Sequence, residues 1–163
     1  MKVCIVRHGE ASLASGSDEE PALTATGLEQ AKLAAQLLFA EDPGMLLHSP
    51  KLRARQTAQQ ISALCPGAAS VEAGCLLPSA TAYDVAGALE VAESEGIETV
   101  VLVSHLPLVA ELVGWFVHGD PAESRLPGYT PAGIVALEMK NIGPQEARLL
   151  WYAFAPEFDK KRR

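Results

Sequence analysis

The sequence predicts an α/β fold of three layers, α/β/α. A mostly parallel sheet carries helices on both faces and ends in an antiparallel edge, within a single domain over residues 1–163. Three observations predict it. Short apolar runs alternate with longer stretches of helical periodicity, as βαβ units stacked into a parallel sheet require. The run Val100-Val101-Leu102-Val103 is apolar without a break and rich in β-branched residues, which suits a strand covered on both faces. Near the end of the chain two alternating runs face each other across a short polar stretch, the pattern of a hairpin.

Each element follows in order. Residues 2–7 read as the first strand, built on Val3-Cys4-Ile5-Val6, and 26–39 as the first helix. Residues 45–48 are a second strand and 51–64 a second helix. The stretch 67–78 is rich in loop formers and holds a short strand near Val71. A helix over 81–95 stops at Gly96, because glycine just past a helix accepts the left-handed conformation that ends it. Residues 99–104 are the strand expected to be most buried. Pro107 opens the next helix, which runs to about Val117, since proline lacks only an amide hydrogen that the first turn leaves unused. The stretch 118–130 is broken by Pro121, Pro127 and Gly128, and its part 119–130 fits a rigid loop or a lid equally. Residues 134–139 and 148–154 close the sheet as an antiparallel hairpin at one edge, joined through 141–145. There is no internal repeat and no low-complexity linker.

Composition bounds the function. A net charge of −7 argues against a nucleic-acid surface, which needs a basic face. Lys160-Lys161-Arg162-Arg163 is the exception and reads as a solvated terminus. Cys4, Cys65 and Cys75 have no Cys-x-x-Cys spacing and are read as free thiols, with a Cys65–Cys75 bridge as the competing reading. Met1-Lys2 leads straight into the first strand with no apolar leader, and no run approaches the roughly 20 apolar residues that span a bilayer. The expectation is a cytoplasmic protein without a membrane partner. The scattered histidines make no metal-binding pair, so no metal or other cofactor is expected.

The chemistry gathers at strand ends. Arg7-His8-Gly9 stands where the first apolar run stops, and in open α/β sheets ligands bind at the carboxyl ends of strands. An arginine beside an imidazole suits phosphoryl groups. The segment from Ser49 to Ala58, Ser-Pro-Lys-Leu-Arg-Ala-Arg-Gln-Thr-Ala, runs from a strand end into a helix that carries Arg53. The buried strand ends in Ser104-His105. Taken singly, each has a plainer reading. Arg7 could pair with Glu10 or Asp18, Arg53 could lie on a solvated helix face with Lys51 and Arg55, and His105 could cap the next helix. Arg55 faces solvent or a carboxylate, or helps hold Gln56. His48 and His118 read as a strand and a loop residue, Trp115 and Trp151 as packing, and Cys4 as core.

Taken jointly and in this order, these segments resemble the histidine phosphatase superfamily, which shares its fold with cofactor-dependent phosphoglycerate mutase. Leu23-Thr24-Ala25-Thr26-Gly27-Leu28-Glu29-Gln30-Ala31 is similar to the start of that family's first helix. Arg7-His8-Gly9-Glu10-Ala11, 49–57 and Ser104-His105-Leu106-Pro107-Leu108-Val109 look most like the short SixA-type phosphohistidine phosphatases. The resemblance implies a phosphoglycerate mutase-like fold, His8 as the nucleophile that carries a phosphohistidine, and Arg7, Arg53 and His105 as the groups that hold the phosphoryl oxygens. The free backbone amides after His105, beginning at Leu106, would add a positive helix end.

The departures speak to substrate. Mutases of the family carry an asparagine where Ala14 stands, and a glutamate acid in the segment matching Leu76-Leu77-Pro78-Ser79-Ala80, which has no carboxylate. An ester phosphatase gains about 10²–10⁴-fold from such an acid. A phosphoramidate needs it less, because imidazole is a far better leaving group than an alkoxide. The expected substrate is therefore a phosphohistidine-containing phosphotransfer protein, with inorganic phosphate as product. Two alternatives stand: a phosphatase of small phosphate esters, with Asp84 or Glu72 supplying the acid from a loop, and a phosphate-binding or interaction module with little turnover.

Overall fold

The computed structural model describes residues 1–13 and 20–162; Ala14, Asp18 and Arg163 lie outside the described residues. Among those described, a six-stranded sheet has the order β3-β2-β4-β1-β5-β6. Its strands are β1 (Lys2–Arg7), β2 (Met45–His48), β3 (Ala69–Glu72), β4 (Thr99–Ser104), β5 (Ile134–Met139) and β6 (Ala147–Ala153). The first four run parallel, and β5 and β6 add the antiparallel edge. The helices are α1 (Ala25–Phe39), α2 (Leu52–Leu64), α3 (Ala82–Ser94) and α4 (Leu108–His118), with a short 3-10 turn at Gly74–Leu76.

The strands divide the core because successive side chains point to opposite faces. Val3 and Ile5, with Val100 and Leu102, meet Val85 and Leu89 of α3 and Leu112 and Phe116 of α4. Cys4 and Val6, with Val101 and Val103, meet Ala34, Ala35 and Leu38 of α1 and Ile61 of α2. All six residues of β4 are buried, as a central strand beneath helices on both faces demands. Cys4, Cys65 and Cys75 are unbridged. No helix among the described residues is long and apolar enough to cross a membrane.

Helix ends follow the sequence signals closely. Thr24 caps α1 by accepting from the Gly27 amide, and Thr81 with Asp84 forms a reciprocal capping box on α3. One expectation is corrected: His118 is the last residue of α4 and not a loop residue, because the helix continues until Gly119 takes the left-handed conformation at φ 80°.

Insertion of β4 between β2 and β1 positions the site. It pairs Arg7 with Ser104 in register and so sets the chain after β1 beside the chain after β4. The loop after β1 is then held against α1 by a close backbone approach. A Cβ on Gly27 would stand 2.0 Å from the Glu10 carbonyl oxygen, and one on Gly9 would stand 2.5 Å from that of Gly27. Gly27→Ala is expected to cost about 1–3 kcal/mol in denaturant unfolding, since backbone must move to admit it.

Candidate active site

His8 leaves β1 with its backbone fixed on both sides. Its amide donates to the Ser104 carbonyl, and its own carbonyl accepts from Ala132. The side chain is fixed as well. Nδ1 lies 2.7 Å from the Gly9 carbonyl oxygen, which can only accept, so Nδ1 holds the ring proton and Nε2 keeps its lone pair. Arg53 agrees with that tautomer, donating from Nε to His8 Nε2 at 3.3 Å. Burial, with the charges of Arg53 and Arg7 adding to it and the Gly9 bond opposing it, brings the imidazole down from 6.5 to about 4. A neutral imidazole with one bare nitrogen is a nucleophile ready at neutral pH.

Two consequences follow for pH. The acid limb of kcat/KM is expected near pH 4, and a limb near the ordinary 6.5 would contradict this environment. Because the unfolded chain takes up the proton first, the same shift predicts that stability falls as pH drops from about 6.5 toward 4, which acid titration of the unfolding midpoint checks.

Arg7 and His105 complete the group. The Arg7 guanidinium donates from Nη1 to the Tyr129 carbonyl at 2.7 Å, and its Nε is buried without a partner. Tyr129 is anchored in turn, its hydroxyl donating to the Ile5 carbonyl at 2.6 Å. So the 118–130 stretch reaches the site at its end and braces Arg7. The His105 ring lies 5.1 Å from that of His8, centroid to centroid. Its Nε2 is 2.7 Å from the Ser49 hydroxyl, and its Nδ1 is buried and unpartnered. Burial first, then His8, Arg53 and Lys51, takes this imidazole down to about 3. Leu106 follows in the turn before α4. The first intrahelical bond there runs from Val109 to the His105 carbonyl, which leaves the Leu106 amide without an acceptor among the described residues. The Leu106 amide, the two guanidinium groups and the unpartnered imidazole nitrogen of His105 are the kinds of donor that can hold a tetrahedral oxyanion. Among the described residues no three His, Cys, Asp or Glu side chains gather as a metal-ligand set.

The plainer readings of these residues fall away in the described structure. Arg7 contacts a backbone carbonyl rather than Glu10, its other expected partner Asp18 lying outside the described residues, Arg53 turns to His8, and the His105 ring bonds Ser49 instead of capping α4. The two carboxylates considered as acids are not brought to the group. Asp84 is committed to the α3 cap, accepting from both the amide and the hydroxyl of Thr81, and those bonds hold its carboxyl below the ordinary range. It carries no proton to donate at neutral pH. Glu72 ends the edge strand β3, three strand spacings from β1, or roughly 14 Å across the sheet.

Sequence reasoning passed over Thr57 and Tyr129 and named Gln56 only as a side chain held by Arg55. Thr57, fully buried, accepts from the Gly9 amide and donates to the Arg53 carbonyl, so one hydroxyl ties the loop after His8 to the helix that carries Arg53. Gln56 accepts from the Leu23 amide and ties the same helix to the approach to α1. Tyr129 had no signal at all.

Comparison with known proteins decides the family. A model described as the histidine phosphatase superfamily (branch 1) matches residues 3–74, which include Arg7, His8 and Arg53. The chain is 32% identical over 149 residues to the phosphohistidine phosphatase SixA of Escherichia coli (strain K12), covering 88% of each. The chain belongs to the histidine phosphatase superfamily. This phosphatase is also 35% identical over 124 residues to a SixA homolog of Haemophilus influenzae, spanning 69% of the chain and 75% of that protein. A structure of the protein histidine phosphatase SixA complexed with tungstate superposes with a TM-score of 0.77 at 29% identity, over 93% of this chain and 96% of that one. The α/β fold expected from the sequence is thus that of the superfamily, and the enzyme is a phosphatase, a hydrolase.

Proposed function

We propose that this phosphatase removes the phosphoryl group from a phosphohistidine of a phosphotransfer protein, by way of a phosphohistidine on its own His8. The observation that carries the choice of substrate is that, among the described residues, neither of the two carboxylates expected as the acid stands ready beside His8. Asp84 is held ionised in its helix cap and Glu72 lies across the sheet. With no acid from either, the leaving group that departs most readily is an imidazole rather than an alkoxide. The names of the relatives in Escherichia coli and Haemophilus influenzae support the same substrate class. So does Leu106, whose side chain is 41% exposed next to His105 and offers an apolar rim to a protein surface.

The steps follow from the geometry. The lone pair on His8 Nε2 attacks phosphorus, and the P–N bond to the substrate imidazole breaks as that ring takes a proton from solvent. Arg7, Arg53, His105 Nδ1 and the Leu106 amide hold the three non-bridging oxygens as charge shifts among them. Water then attacks the phosphorus on His8, inorganic phosphate leaves, and Nε2 recovers its lone pair. The Gly9 carbonyl supports the ring throughout by accepting from Nδ1. No step calls for a metal or another cofactor.

The test compares phosphate release from a phosphohistidine-bearing phosphotransfer domain with release from phosphoserine and an aryl phosphate. The expected result is at least a 10²-fold advantage in kcat/KM for the phosphohistidine protein, the lower end of what an acid contributes to ester cleavage. Equal or faster ester hydrolysis would overturn the reading and make the enzyme a small-molecule phosphatase.

A further inference from the structure

His105 meets a single polar partner through its ring, and that partner controls what the ring can do. Its Nε2 stands 2.7 Å from the Ser49 hydroxyl oxygen, while Nδ1 has no partner. Ser49 is fully buried and His105 is 2% exposed. A neutral imidazole has one ring proton. On Nδ1 that proton makes the histidine a donor to a phosphoryl oxygen; on Nε2 it leaves Nδ1 a lone pair that repels one.

The Ser49 oxygen already accepts from the Lys51 amide at 3.3 Å, and among the described residues its remaining partner is His105 Nε2. Were the ring to donate to it as well, the hydroxyl hydrogen would be buried with no acceptor, a state folded proteins avoid. With the hydroxyl donating to Nε2, every group in the chain from Lys51 through Ser49 to His105 is satisfied except Nδ1–H, which is left for a ligand. The geometry points to Ser49 as a positioning residue that fixes the ring proton of His105 on Nδ1 and so makes this histidine a permanent donor to the transferring phosphoryl group. The inference rests on the reading of the site as a phosphoryl cradle. It adds that α2 and the residues leading into it set two of the cradle's donors, Arg53 on the helix and His105 through the Lys51 amide and Ser49.

The tautomer can be read without substrate, by long-range proton–nitrogen correlation on the whole protein with labelled histidine at neutral pH, using His105→Gln to assign the ring. The expected wild-type signature is a protonated Nδ1 and a bare Nε2. In Ser49→Ala the proton shifts wholly or partly to Nε2, and kcat/KM falls roughly 10- to 100-fold, mainly through kcat, less than the ~10²–10³ lost with a whole oxyanion donor. Ser49→Thr, which keeps a hydroxyl, retains the wild-type tautomer. A wild-type ring protonated on Nε2 would overturn the proposal, as would a Ser49→Ala ring that keeps its proton on Nδ1, whatever its activity. Because no substrate is present, a shift of the proton in Ser49→Ala supports Ser49's part even if the substrate proves to be an ester.

Discussion

Replacing His8 with alanine is expected to lower turnover by on the order of 10⁴–10⁶-fold on any phosphorylated substrate, the scale seen when a covalent nucleophile is removed. The side chain supplies a lone pair free of a proton at Nε2, faced by Arg53 and close to neutral His105. Its loss should leave the fold intact. The backbone bonds of residue 8, to Ser104 and Ala132, do not depend on the ring, and the ring's one bond to the main chain is to its own neighbour Gly9. The check is phosphate release by purified His8→Ala alongside its circular dichroism. A native spectrum with more than a tenth of wild-type activity would remove His8 from the mechanism.

The second large effect is at Arg53. Its Nε donates to His8 Nε2, the nitrogen proposed to attack, so in that proposal the guanidinium both aims the lone pair and stands where phosphoryl charge will develop. Arg53→Ala should cost about 10²–10³-fold in kcat/KM. Arg53→Lys keeps the charge but not the planar fork, and should stay closer to the alanine variant than to wild type. The same substitution has a second readout. Since the Arg53 charge is one cause of the lowered His8 pKa, its removal should move the acid limb of kcat/KM upward from about 4. A limb that stays in place with activity near wild type would mean that the 3.3 Å contact is incidental.

Much of this was legible in the sequence, for definite reasons. Strands covered on both faces must be apolar without a break, so Val3 to Val6 and Val100 to Val103 declare themselves. Arg7, His8 and His105 stand where those runs end, which is where such sheets bind ligands. What periodicity could not give is the insertion of β4 between β2 and β1, the step that sets His105 beside His8. Hydroxyl roles were hidden for a different reason. Ser49 and Thr57 lie inside a segment read for its arginine, yet their partners, His105 and Gly9, are 56 and 48 residues away in the chain. Tyr129 is more remote still, reaching Arg7 across 122 residues by a backbone carbonyl that any residue type would carry. Asp84 is the instructive case. Thr81 and Asp84 stand at the spacing of a capping box ahead of an apolar helix, a signal that their carboxylate and hydroxyl are spent on helix ends rather than on proton transfer.

The central claim is that the phosphoryl group passes onto His8, and rapid quenching tests it most directly. The enzyme would be mixed with a phosphotransfer domain radiolabelled on its phosphohistidine, stopped in alkali, where phosphohistidine survives, and digested for peptide mapping. The predicted result is a transient label on the peptide that contains His8, absent in His8→Ala. Rapid phosphate release with no labelled enzyme at any time point, or label on His105 instead, would contradict it.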